Sequence, residues 1–374
     1  MTPRMLLSLL VGPVVPVPVP LPVVQALKSV QVTTAAGQRS GFQLSFGLSS
    51  RGMLNTTLLP AGYFDPGIRV IVMMVLNGMP TVLMDGIVTR QEVAPSNDVG
   101  GSVLTVTGED VSVMMDLIEL PGIPFPPLPA AGRIAMIIAK YAIYGMVPLV
   151  VPELFPDVPI PTQQIRFQQG TDLGYIEQLA RENGYTFYVE PGPAPGVNMA
   201  YWGPEIRLGI PQPALNINMD AYTNVDSLSF SFDGLSRKQV AIMVQEPITK
   251  ISIPVPVPDV SLLRPPLAIK QAPALRFEPL KDVAKLNPFA AIAQGLAKAS
   301  DSADAVTGNG QLDVLRYGHI LKARGLVGVR GAGTSYDGLY YVKSVTHNIK
   351  PGEYKQSFTL TRNGLISITP AVVT

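Results

Sequence analysis

The residues able to do chemistry in this 374-residue sequence are few and scattered. There is no cysteine, which excludes disulfides, thiolate zinc sites, iron–sulfur clusters and a cysteine nucleophile. Only two histidines occur. His319 falls in a helical pattern beside Ile320 and Leu321, and His347 falls in a strand pattern. No motif spacing links the two, so both read as structural rather than metal-binding or catalytic. The glycine-rich run Gly325-Leu-Val-Gly-Val-Arg-Gly-Ala-Gly333 invites a phosphate-loop reading. Its spacing fits neither phosphate-binding pattern, and a strand follows where a helix N-terminus is needed, so it reads as a hairpin. No Gly-x-Ser-x-Gly elbow occurs, and no carboxylate pair stands out from ordinary surface acids. The sequon Asn55-Thr-Thr57 matters only in a secretory pathway. The tyrosines and the single Trp202 are scattered rather than arranged as a stacking platform. The expectation is a protein with no catalytic residue, no metal and no cofactor.

Composition points the same way. With 28 basic and 27 acidic residues the net charge is +1, which argues against a nucleic-acid binder. Charged residues make up only 15%, against roughly 25% in a typical soluble domain. So apolar a chain is not disordered, and it carries more apolar surface than one copy should leave uncovered. Residues 5–27 contain no charge, yet Pro13, Pro16, Pro18, Pro20 and Pro22 argue against both a signal peptide and a membrane-spanning helix. In Val15-Pro-Val-Pro-Val-Pro-Leu-Pro22, proline at alternate positions removes the donors from one edge of an extended chain. That predicts an edge strand or strap able to pair on one side only, and Ile253-Pro-Val-Pro-Val-Pro258 repeats the device.

The elements that would carry any site are mostly strands. Ser29–Thr33 and Gly41–Phe46 alternate, and Asn77-Gly78 between two β-runs is a strong hairpin signal. Arg133–Tyr144 reads as a helix closed by Gly145. A clearer helix starts at Thr171 and Asp172, carries Leu173, Ile176, Leu179 and Ala180 as one stripe, and stops at Gly184. Another helix is expected from Asn287-Pro288 to about Ala299, a flexible loop over 301–310, and a last helix over Leu312–Arg324. In the final strand Tyr354, Phe358 and Leu360 share one face, while Lys355, Ser357, Thr359 and Thr361 point away. The fold class expected is α+β, mainly antiparallel β.

A weak internal repeat accompanies this pattern. Asp85-Gly86 and Asp337-Gly338 each open a β-run, and each is followed by an apolar-Thr-apolar-Thr strand, at Leu104–Thr107 and Phe358–Thr361. A real repeat would give each chain two copies of one β-module, and a ring of three chains would then mimic six-fold symmetry.

Four segments carry a family resemblance. Gln169–Tyr188 resembles the signature helix and strand of the phage late control protein D family, and 337–347 with 354–364 resembles its C-terminal hairpin. Gly86–Glu92 and Leu104–Asp110 resemble its first barrel. The family includes baseplate hubs of contractile tails and injection systems, and the N-terminal part of VgrG spikes. The resemblance implies two similar β-barrel domains that dock on a tube; an inserted α/β region and the proline-rich straps, which belong to no family pattern, complete the expected architecture. The corresponding division is 1–118 first barrel, 119–224 insert, 225–250 start of the second barrel, 251–310 connector and helix, and 311–374 its remainder. Asp85, Gly86, Asp172, Gly184, Asp337 and Gly338 are then structural turn residues, and partner-contacting residues stay unassigned. The function implied is a homotrimeric, non-enzymatic hub joining a three-fold spike to a six-fold inner tube. Its partners are itself, a spike protein, an inner-tube or tube-initiator hexamer and other baseplate proteins, with neither sequence-specific nucleic-acid contact nor membrane insertion. It would assemble in the bacterial cytoplasm as part of a phage-tail-like particle. Because the sequence ends at Thr374, ten residues after Gly364, the spike is expected to be a separate polypeptide. The alternatives are a tail-associated cell-wall hydrolase and a secreted β-rich adhesin.

Overall fold

Alternating side chains build most of the chain into antiparallel strands. The computed structural model describes residues 5–98, 101–120, 122–153, 156, 166–245, 252–257, 263–280 and 302–369, with 292, 294–296, 298 and 299 between. The first group of strands is β1 (Met5–Gly12), β2 (Val17–Pro18), β3 (Leu27–Ala35), β4 (Gly41–Gly47), β5 (Arg69–Leu76), β6 (Met79–Ala94) and β7 (Val103–Asp110). Asn77 and Gly78 join β5 to β6 with φ of 51° and 84°, the two positive values that a two-residue hairpin of the favoured twist requires.

An insert follows. Strand β8 (Ile123–Pro124) pairs with β10 (Phe167–Gln168), and β9 (Met146–Val150), β11 (Thr186–Pro191) and β12 (Asn198–Gly203) make a separate three-stranded sheet. Apart from the short α1 (Leu21–Ala26), the main helices lie here, α2 (Ala130–Ala139) and α3 (Asp172–Asn183). Their apolar stripes bury Ile134, Ile137, Ile138, Leu173, Ile176 and Leu179 in a core of their own around Trp202.

The second group is β13 (Gln212–Asn216), β14 (Val225–Phe232), β19 (Val306–Asp313), β20 (Leu326–Arg330), β21 (Gly338–Lys350) and β22 (Glu353–Arg362). Between β14 and β19, strands β15 (Lys238–Gln245), β16 (Ser252–Pro256) and β18 (Arg276–Pro279) form a small sheet, while β17 (Ala268–Gln271) pairs with β23 (Gly364–Ser367).

The two groups join in one sheet of order β14-β19-β22-β21-β3-β4-β7-β6-β5-β1-β2, with β20 beside β21 and β13 beside β20. Within it the first group runs β3-β4-β7-β6-β5-β1 and the second β14-β19-β22-β21-β20-β13. These are the same six-strand topology, taken in the same chain order. One difference is that β13 lies parallel to β20 where β1 is antiparallel to β5. One apolar core runs beneath both halves, from Leu9 and Phe42 to Phe358 and Leu360.

Several expectations are corrected. The helix over Leu312–Arg324 and the loop over 301–310 give way to β19, followed by a single turn, α4 (Val314–Tyr317), that Gly318 ends at φ 79°. Gly308 and Gly310 misled the reading. A Cβ at Gly308 would stand 2.6 Å from the ring of Phe230, and one at Gly310 would stand 2.5 Å from that of Phe358. Only glycine lets those rings lie across the strand. His319 consequently sits beyond the helix end. In Val15–Pro22, only Val17–Pro18 is strand, and Leu21 begins α1 with Pro22 in its first turn, where a missing donor costs nothing. Strand β13, from the 119–224 segment, lies in the large sheet, and β15, from 225–250, lies outside it. The start of the helix at Asn287-Pro288 lies outside the described residues, although those described over 292–299 are helical.

Candidate assembly surface

The turn residues singled out from the sequence have unlike roles. Asp85 and Gly86 form no turn and lie mid-strand in β6. Asp85 accepts from Arg69 Nε and Nη2 at 2.7 Å each and from Asn198 Nδ2 at 2.9 Å. Both members of the ion pair are buried. Arg69 also donates to the carbonyls of Val14, Tyr144 and Gly196, so one guanidinium ties the first module to the insert. A Cβ at Gly86 would meet the Glu109 carbonyl oxygen at 2.3 Å, so glycine there reflects close strand approach rather than a turn. Asp337 does precede a strand, which Gly338 opens: Asp337 Oδ1 accepts from Ala332 N at 2.7 Å, and Gly338 has φ 113°. Gly184 caps α3 at φ 65°, and Thr171 Oγ1 accepts from Gly174 N at its start. Asp172 is not the cap. Its buried carboxylate accepts from Gln168, Lys140 and Tyr141 and so binds α2 to α3.

His347 is fully enclosed. Its Nδ1 is 2.7 Å from the Tyr354 hydroxyl and 3.3 Å from Gln356 Nε2, and burial pushes its pKa down to about 4. Gln356 in turn bridges the backbone N and O of Leu321. Among the described residues, no three His, Asp or Glu side chains converge as a cation site would need.

What the fold does bring together is a pair of matched modules. In β6 an extra residue lies between Val88 and Arg90 opposite β7, and in β21 one lies between Val342 and Ser344 opposite β22. A second matched bulge falls between Leu27 and Ser29 in β3 and between Val225 and Ser227 in β14. The chain leading into β5 leaves the edge of β6 with Gly67 and Ile68 bonded to Val88. The chain leading into β20 leaves β21 with Arg324 and Gly325 bonded to Val342 in the same pattern. Equal bulges and equal departure points fix Val88 against Val342 and Val30 against Leu228. Aligning the Asp-Gly pairs, as the sequence suggested, slides the long strands by one pleat, which preserves the faces and hides the error.

Each half of the sheet has an apolar face on the core. The opposite face is polar, mostly Ser, Thr, Asn and Gln, with Arg90, Glu92, Glu109 and Lys355 among them. Thr33 and Thr346 hydroxyls lie 3.1 Å apart, Gln31 Nε2 donates to Asn348 Oδ1 at 3.3 Å, and Thr359 donates to Asn309 at 3.0 Å. The polar face continues through Gln43, Ser45, Thr105 and Thr107 of the first module and Ser227, Ser229 and Ser231 of the second.

No protein-family model matches the chain, and no curated protein matches its sequence. Solved structures do match in fold. The tail protein from Neisseria meningitidis MC58 aligns over 96% of this chain and 98% of its own, at TM-score 0.62 and 15% identity. The 43 kDa tail protein of prophage MuSo2 from Shewanella oneidensis aligns over 96% and 99%, at TM-score 0.63 and 13% identity. The E. coli c3393 protein, a component of the type VI secretion system, aligns over 93% and 77%, at TM-score 0.52 and 10% identity. The chain therefore has the fold of phage tail and VgrG-like proteins, α+β with antiparallel strands predominating.

Proposed function

We propose that this chain is the structural hub of a contractile tail or injection system, acting as a homotrimer that joins a three-fold spike to a six-fold tube. The observation that carries the reading is the duplicated six-strand module within one continuous sheet. A chain with two like modules, repeated three times, offers six like docking positions to a six-fold partner while keeping three-fold identity for the other. The tail-protein and type VI secretion fold neighbours support a place in such a particle. The polar face, rich in Ser, Thr, Gln and Asn with charges of both signs between them, supports a water-filled passage. Apolar side chains left exposed, such as Ile210 at 95%, Met79 at 74% and Leu6 at 65%, fit a subunit covered on several sides. Its function is mechanical: matching symmetries and bounding a channel.

Native mass spectrometry tests the reading. The purified chain is expected at the mass of three 40.0 kDa copies, and the assembly should gain mass when the tube and spike proteins of its own particle are added. A stable single-chain species that ignores both additions would overturn it.

A further inference from the structure

A cleft of about 540 Å³ opens where three parts of the chain meet. The insert lines it with Tyr188, the second module with Arg324, Tyr341 and Lys343, and the segments flanking the small sheet with Arg264 and Asp304. Both oxygens of each lining carboxylate are already taken by guanidiniums. Asp304 accepts from Arg207 Nη1 and Nη2 at 2.6 and 2.8 Å. Glu205 accepts from Arg207 Nε at 2.9 Å and pairs with Arg264 Nη2 at 2.8 Å. Arg324 is tied to Glu190 and to the Ala35 carbonyl, and it stands 4.2 Å from the centre of the Tyr188 ring. These contacts match every charge of the lining except one. Lys343 is exposed in the cleft and has no ion pair among the described residues.

The fold puts that lysine there. Lys343 is the extra residue of the β21 bulge, between Val342 and Ser344. A bulge re-aims the side chain that it adds. The matched bulge of β6 adds Thr89 instead, and its hydroxyl bonds back to the Thr107 carbonyl of its own sheet at 3.3 Å. The two modules thus differ at one equivalent position by a positive charge, and only the charged version faces a cleft.

We propose that this cleft binds a small organic anion, a carboxylate with an apolar body, its carboxylate on Lys343 and its body along Leu263 and Leu296. The volume lies in the range of sites that enclose one small molecule, roughly 300–1,000 Å³. The half-buried Leu296 and the partly exposed Leu263 supply an apolar wall. A charge pair inside a cleft is also screened less by salt than one on open surface. This site is independent of the hub reading, since it lies within one chain.

Calorimetric titration of the full-length protein with benzoate tests it, with benzyl alcohol as the uncharged counterpart. Benzoate is expected to bind once per chain, and benzyl alcohol about tenfold more weakly, the effect of losing one charged hydrogen bond. Lys343→Gln should weaken benzoate by the same factor and leave benzyl alcohol unchanged. Lys350→Gln, on the same strand but outside the cleft, should change neither. Both lysines are exposed, and unchanged circular dichroism confirms folding of the variants. Inorganic phosphate, which lacks the apolar body, should compete only weakly. Benzoate binding that ignores Lys343→Gln would overturn the role of Lys343, and phosphate competing as well as benzoate would overturn the apolar body. No saturable benzoate binding by about 50 mM, weaker than a ligand of this size gives in a formed site, would overturn the site itself.

Discussion

Replacing Asp85 with alanine is expected to destabilise the protein by about 3–5 kcal/mol, the range for removing one partner of a buried ion pair. Arg69 is only 3% exposed and would keep its charge. Its remaining acceptors would be three backbone carbonyls, and Asn198 would lose an acceptor as well. The cost is the uncompensated charge rather than the lost attraction, so Asp85→Asn should be costly too: it is neutral, and while its oxygen can still accept from Arg69, its NH2 group meets the donors of Arg69 or Asn198. Replacing both Arg69 and Asp85 with apolar residues of similar volume should recover much of the loss. Denaturant unfolding of the four proteins checks the order. A loss below about 1 kcal/mol for Asp85→Ala would show that the pair does not hold the insert to the first module.

Stability should also fall as the solution is acidified from pH 6.5 to 4, by about 3 kcal/mol from His347 alone. The histidine is neutral in the fold because burial penalises its charged form, and no carboxylate contacts it among the described residues. In the unfolded chain it titrates near its ordinary 6.5, so between the two values the unfolded state binds more protons. The contribution is thus complete above pH 6.5 and lost as pH drops toward 4. His347→Gln removes the titrating group while keeping a side chain able to hydrogen-bond Tyr354. Unfolding midpoints over that range should slope less steeply in this variant than in the wild type. Equal slopes would contradict the enclosed neutral histidine.

Where local chemistry decides the backbone, the sequence was readable. Asn77-Gly78, Thr171 and Gly184 act through their own dihedral angles and hydrogen bonds, so the hairpin and α3 fall where expected. Where a distant side chain decides, it was not. Gly308 and Gly310 look like loop residues until Phe230 and Phe358 are laid across them. Asp85-Gly86 looks like a turn until Arg69 and Glu109 arrive from neighbouring strands. The module repeat was visible only as one hairpin each. Its remaining strands share topology and bulge positions, which leave little trace in residue types.

The central claim is a ring of three chains with six like modules around an open passage. Electron-microscopy class averages of the purified assembly, viewed down its axis, test it most directly. Six similar lobes around a clear lumen, reducing to exact three-fold symmetry when the inserts are resolved, are the predicted result. Single-chain particles, a two-fold dimer or a ring with a filled centre would contradict it.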